Sequence, residues 1–217
     1  MTVVFISGSR QIPYLPQEVQ ERVDNMIDNG LQIIVGDSER GVDSNIVAYL
    51  YERGYSNVSI YSIHSTSRIR RLLPDWSFRQ ITPDIAARHD KNGRPTNRRE
   101  LETYKDRAMC EACNFGLVIW QDTYSNRRFG QTSVSAGSLR NAVQLLLAGK
   151  PVTMYHRGES DMPPEDFTHR EFRSLPALEA FVKDLDGIVQ ERFSKIVKEE
   201  SKLASDAAAM MQQHLDL

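Results

Sequence analysis

The sequence predicts an α/β fold: an open parallel sheet flanked by helices, followed by a long amphipathic C-terminal helix. Three observations carry this. Short apolar, β-branched runs alternate with segments of helical periodicity. The connections between them are short, as in right-handed β-α-β crossovers. Several apolar runs also end in Gly/Ser/Asp clusters. Val3-Val4-Phe5-Ile6 leads into Ser7-Gly8-Ser9-Arg10, and Leu31–Val35 leads into Gly36-Asp37, with Gly41-Val42-Asp43 close behind. Phe115–Trp120 leads, after a polar loop, into Ser135-Ala136-Gly137-Ser138. Ligands of open parallel sheets bind outside the carboxyl ends of the strands, so three such clusters suggest one crevice.

Residues 2–7 read as a buried strand with an abrupt Gly stop. Gln17 to Asn29 carries Val19, Val23, Met26 and Ile27 at helical spacing, and Asn29-Gly30 closes it. Leu31–Val35 is a second strand, Val42–Arg53 a second helix stopped by Gly54, and Val58–Ser62 a third strand. Residues 64–97 lack clear periodicity. From His64 to Arg99 there are nine Lys/Arg against three acids, which reads as a solvated loop, an anion-attracting lid or a nucleic-acid contact. Arg98 to Cys113 reads as a helix, Phe115–Trp120 as a strand and Asp122–Val134 as a polar loop. Ser138–Ala148 reads as a helix, Pro151–Tyr155 as a fifth strand, 161–166 as a loop and Ala177–Leu185 as a short helix. From Gly187 to Leu215 an apolar stripe recurs every three or four residues, suiting a helix laid on the sheet or paired with its copy. The reading divides the chain into residues 1–160 and a helical extension, 161–217.

The chain has 217 residues, 40% of them hydrophobic and 26% charged, with a formal net charge of −2. That is ordinary for one globular domain with an appendage and gives no global attraction to nucleic acid or anionic membrane. No apolar run approaches the ~20 residues of a membrane span. The N-terminus lacks a basic leader region, so the cytoplasm is the expected location. Cys110 and Cys113 form a C-x-x-C in a helical pattern, without a second Cys/His pair at ligand spacing. They are expected to pack as small helix residues, and neither metal nor cofactor is expected.

Each cluster offers specific chemistry. Gly8 permits close approach, Ser9 can donate a hydrogen bond and Arg10 can fork onto a phosphate. Asp37 and Asp122 can accept from a ribose hydroxyl or cap a turn. Gly36 allows close backbone approach, Gly41 permits a special backbone angle, and Asp43 stands near a helix start, where it could serve as the N-cap. Ser135, Gly137 and Ser138 suit a phosphate at a helix N-terminus. Arg98, Glu102, Lys105 and Asp106 share one helical face, which reads either as a solvated, salt-bridged face or as one bringing Glu102 or Asp106 to the crevice.

In this order and strand context these motifs, with Lys105-Asp106-Arg107-Ala108-Met109 and Gly149-Lys150-Pro151-Val152, resemble the SLOG superfamily. That group takes in the DNA-processing protein DprA, the LOG phosphoribohydrolases and nucleotide-sensing domains. The resemblance covers about residues 2–155. It implies a Rossmann-like fold that binds nucleotides or nucleotide-derived ligands at the carboxyl edge of the sheet. Some members hydrolyse the N-glycosidic bond of a nucleoside monophosphate with a P-G-G-x-G-T-x-x-E pattern. Ser135, Gly137 and Ser138 fit its phosphate-holding part, and Asn141 occupies the position of its Glu. An amide cannot exchange a proton there, although it can still hydrogen-bond a ribose hydroxyl.

The expectation is therefore recognition of a nucleotide or ADP-ribose-like ligand by a homo-oligomeric sensor. The alternatives are an N-glycosidase using Glu102, Asp106 and Asn141, and a DprA-like module binding single-stranded DNA, which the net charge disfavours.

Overall fold

A computed structural model describes residues 1–83, 85–92, 96–126, 130–158 and 167–215, and of residues 126 and 208–215 the backbone alone. Asp84, Arg94, the Arg127-Arg128-Phe129 run, the 161–166 loop and the side chains of the apolar stripe beyond Ala207 lie outside that description.

The elements run in the order β1 (Val3–Gly8), α1 (Gln17–Asp28), β2 (Gln32–Gly36), α2 (Val42–Glu52), β3 (Val58–Ser62), β4 (Ser77–Gln80), α3 (Arg98–Ala112) and β5 (Phe115–Gln121). They continue with β6 (Thr123–Asn126), β7 (Gln131–Val134), α4 (Ala136–Leu147), β8 (Val152–Arg157), β9 (Thr168–Phe172), α5 (Leu175–Val182) and α6 (Gly187–Leu215). Seven strands form one sheet in the order β4-β3-β2-β1-β5-β8-β9. All neighbours are parallel except the β8–β9 pair. This is the Rossmann-like α/β architecture expected from the alternating runs. The strand order reverses between β1 and β5, so their carboxyl ends flank the switch point where such sheets open a crevice.

Both faces of the sheet are covered, which is why its central strands are apolar almost throughout rather than alternating. Val19, Val23 and Met26 of α1 and Ile46, Val47 and Leu50 of α2 pack over one face with Val4, Ile6, Ile33 and Val35. On the other face α3, α4 and α6 close over Phe5, Ile34, Val118 and Trp120.

Several elements depart from the sequence reading. Residues 64–97 include β4, which pairs parallel with β3 although its side chains are exposed, and Trp76, which is buried and donates Nε1–H to the Tyr55 carbonyl at 2.6 Å. The 122–134 loop contains the antiparallel β6–β7 hairpin. Helix α4 starts at Ala136, two residues before the expected start, with Ser135 at its N-cap. After residue 160 the chain adds β9 to the same sheet, and Phe172, Leu178 and Val182 join the core shared by Val118 and Leu139. The boundary at 160 therefore separates no second core.

Helix α6 divides at about residue 200. Val189, Phe193 and Ile196 are buried in that core, each worth about 1.5–3 kcal/mol of apolar burial. Glu200, also buried, receives Arg140 and Arg107. Residues 202–207 are exposed. The first half of the stripe is thus a helix laid on α4. Cys110 and Cys113 are buried free thiols, as a small-residue reading requires. Among the described residues no helix is long and apolar enough to cross a membrane.

Candidate functional site

A cleft of about 440 Å³ opens at the switch point. Its floor comes from the ends of β1 and β2, one wall from α3, and the other from the N-terminus of α4 with a contribution from α6. Ten residues expected to bind the ligand or act on it meet there: Gly8, Arg10, Gly36, Asp43, Glu102, Asp106, Ser135, Gly137, Ser138 and Asn141.

The close approach of β2 and α3 depends on Gly36. A Cβ on it would fall 2.5 Å from Asp43 Oδ2 and 3.0 Å from Lys105 Nζ. Asp43 and Lys105 can occupy this floor because nothing projects from residue 36. Asp43 lies in the first turn of α2 rather than at its N-cap, which is Gly41, and its Oδ2 accepts the Ser38 N–H at 3.3 Å.

Lys105, 5% exposed at its side chain, organises the acidic end of the cleft. Its ammonium is 2.9 Å from Glu102, 3.8 Å from Asp106 and 3.9 Å from Asp37. Burial opposes its charge, yet Asp106, Glu102 and Asp43 hold its pKa above the ordinary lysine value. Burial also acts on the acids, with different results. For Glu102 it is outweighed by Lys105 and by Arg68, 3.1 Å away, so that carboxyl stays below its usual value. For Asp106 burial prevails over Lys105, and the carboxyl is pushed up to about 6. Burial raises Asp43 as well. One face of α3 therefore offers an ionised carboxylate and a carboxyl that gains and loses its proton near neutrality, one turn apart. Paired environments of this kind mark acid and base roles in active sites.

The opposite end favours an anion. Ser135 is fixed by its N–H to the Asp122 carbonyl at 2.8 Å and by its Oγ, 2.8 Å from Ser9 Oγ. No side chain caps α4 among the described residues, so the first-turn N–H groups and the helix dipole face the cleft. Arg99 and Arg192 also line the cleft, as does Arg140, which is paired with Glu199 and Glu200; Arg98 lies 3.8 Å from Glu102, and Arg10 acts on Asp43, Glu102 and Asp106 at the acidic end. Two buried polar atoms lie on this wall and floor without a hydrogen-bond partner in the protein: Asn141 Oδ1 and Ser7 Oγ. Unmatched buried polar atoms are rare in folded proteins, and here both border a cavity.

Four expected ligand contacts serve the scaffold instead. Ser9 is 1% exposed; its Oγ donates to the Gln121 carbonyl at 3.1 Å and accepts the Gln121 N–H at 3.0 Å, stitching β1 to β5. Asp37 is fully buried and accepts from Ser62 at 2.7 Å and from Arg68 Nε at 2.9 Å. Those bonds outweigh burial and draw its carboxyl down to about 2, so no oxygen is directed to a ribose. Gly41 takes φ +76° against the backbone of Arg10, which shapes the loop rather than lining the cleft. Asp122 accepts from Thr123 at 2.9 Å and pairs with His156 Nε2 at 3.0 Å. Arg68, read as part of a lid, is held inward by Asp37 and Glu102.

Arg99 and Arg192 are site residues that the motifs did not mark, and Ser7 and Lys105 stood inside motifs without a role of their own. Ser7 read as the end of its strand, and Lys105 as one half of surface ion pairs. Arg192 lies in the amphipathic C-terminal segment, outside the resemblance. No family model matches the chain, and neither does any curated protein or solved structure compared with it.

Proposed function

We propose that this cleft binds a nucleotide or nucleotide-derived ligand, with a phosphate on the N-terminus of α4 and the ribose toward Asn141, Asp43 and Glu102. The observation that carries the reading is the polarity of the cleft. One end has an uncapped helix N-terminus beside Arg99 and Arg192, and the other has carboxylates around Lys105. Phosphate suits the first and sugar hydroxyls suit the second. Asn141 Oδ1 and Ser7 Oγ, buried without protein partners, are acceptors that a hydroxyl or amino group can satisfy. The likeness to SLOG domains, carried by Gly8–Arg10 and Ser135–Ser138, points the same way. In this reading the protein is a ligand sensor.

A second reading, hydrolysis of an N-glycosidic bond, is favoured by one observation: the Asp106 carboxyl, raised to about 6, beside ionised Glu102. Asp106 would protonate the departing base, and Glu102 would stabilise the developing oxocarbenium charge or activate water. This would replace the Glu whose motif position Asn141 occupies.

Thermal unfolding with a panel of nucleotides, followed by chromatography of each mixture, tests both. A ligand that binds only the native protein raises its midpoint by mass action. A raised midpoint with intact nucleotide supports the sensor, and free base with ribose phosphate supports the hydrolase. No shift with any nucleotide overturns both.

A further inference from the structure

A second cavity of about 370 Å³ adjoins the cleft, sharing Arg99, Tyr124, Val134, Ala136 and Arg192 with it. It runs beneath the β6–β7 hairpin and along α6. The phase of α6 explains how the helix serves both core and cavity. Val189, Phe193 and Ile196 point into the core, while Ile188, Glu191, Arg192 and Lys195, on the adjacent face, line the second cavity. The cavity thus has Arg99, Arg192 and Lys195 against a single acid, Glu191.

These cations differ from Arg140, which spends its guanidinium on Glu199 and Glu200. No ion pair among the described residues engages Arg99 or Arg192. Burial, followed by the like charges of Arg99 and Arg140, lowers the pKa of Arg192, and the attraction of Glu199 offsets this only in part. Repulsion between neighbouring guanidinium groups is relieved further by an anion lying between them.

We propose that Arg99 and Arg192, flanked by Lys195, form a second anion subsite next to the α4 N-terminus, so that the preferred ligand carries a diphosphate rather than a single phosphate. The first phosphoryl group lies on α4 and the second reaches the arginines of α3 and α6. This rests on the nucleotide reading and refines it to the class of nucleoside diphosphates and their esters. It also assigns α6 a direct part in the site.

Isothermal titration of AMP, ADP and inorganic pyrophosphate into the wild-type protein and into Arg192→Gln, Arg99→Gln and Arg192→Lys tests the proposal, with the unliganded melting temperature of each variant as the folding control. ADP is expected to bind at least about tenfold more tightly than AMP, the effect of one added charge-assisted contact. Arg192→Gln and Arg99→Gln should weaken ADP at least about tenfold and AMP much less, whereas Arg192→Lys retains part of the advantage. AMP and ADP binding equally well, or falling equally in the glutamine variants, would overturn the subsite and leave the nucleotide reading standing. Pyrophosphate binding that depends on Arg192, without binding of either nucleotide, would retain the subsite and overturn the nucleotide reading. No binding of any of the three would overturn both.

Discussion

Asp106→Asn should make the protein more stable, and only above a definite pH. The Asp106 carboxyl has an ordinary value of 3.8 and is pushed up to about 6 in the folded protein, burial outweighing the attraction of Lys105. The folded state therefore holds a proton between about pH 4 and 6 that the unfolded chain releases, so stability falls as pH rises through that window. Each pH unit is worth about 1.4 kcal/mol, which makes the full cost of ionising Asp106 about 3 kcal/mol above pH 6. The amide reproduces the shape of the protonated acid without the charge. Urea unfolding should show variant and wild type nearly equal at about pH 4, with the variant ahead by about 3 kcal/mol at about pH 8. Stability given up at a site is a usual companion of function, and the same variant should lose any hydrolytic activity. A variant less stable than wild type at pH 8, or a difference that does not change with pH, would refute the argument.

Lys105→Met leaves Glu102 and Asp106 without their shared cation and should cost about 3–5 kcal/mol in urea unfolding near pH 7. Gly36→Ala brings a methyl group to 2.5 Å from Asp43 Oδ2, which must turn away from the Ser38 N–H; a loss of about 1–3 kcal/mol and weaker ligand binding are expected in thermal unfolding and titration. Asp122 is drawn below its ordinary value because His156 and Thr123 outweigh burial, so its contribution is present above the unfolded carboxylate pKa and fades as pH falls through the folded one. Asp122→Asn should therefore cost about 1–3 kcal/mol at neutral pH and progressively less in acid, followed by urea titrations across pH.

Much of the sheet was legible because its central strands are buried on both faces and read as continuous β-branched runs. Strand β4 was not, since Ser77-Phe78-Arg79-Gln80 is exposed and held at the edge by backbone pairing. Strand β9 escaped for the same reason: Thr168-His169-Arg170-Glu171 is exposed, and Phe172 alone turns inward. The cleft was legible where backbone chemistry builds it, at Gly8, Gly36 and Ser135–Ser138, because small residues at strand ends carry a local signal. Glu102 and Asp106 followed from helical spacing. The fate of Asp37 was not legible, because the cation that occupies it, Arg68, is 31 positions away within an irregular segment. Arg192 was not legible either, because only the packing of α6 on α4 brings it to the cleft. Local pattern identifies residues able to meet a ligand, and long-range packing decides which of them remain available.

If an anionic group of the ligand lies on the N-terminus of α4, a carboxylate placed there must exclude it, and Gly137→Asp supplies one. A Cβ at residue 137 meets nothing within 4 Å, so the side chain enters open space on the cleft wall. An acidic residue in place of a helical glycine, in a first turn without acids, should stabilise the free protein by about 0.5–2 kcal/mol through propensity and the helix dipole. The same carboxylate occupies and repels the position of a phosphate. Thermal unfolding of wild type and variant, with and without AMP and ADP, should show a variant that melts higher alone and is not shifted by nucleotides that stabilise the wild type. A variant that is stabilised by nucleotide as strongly as the wild type would contradict the account.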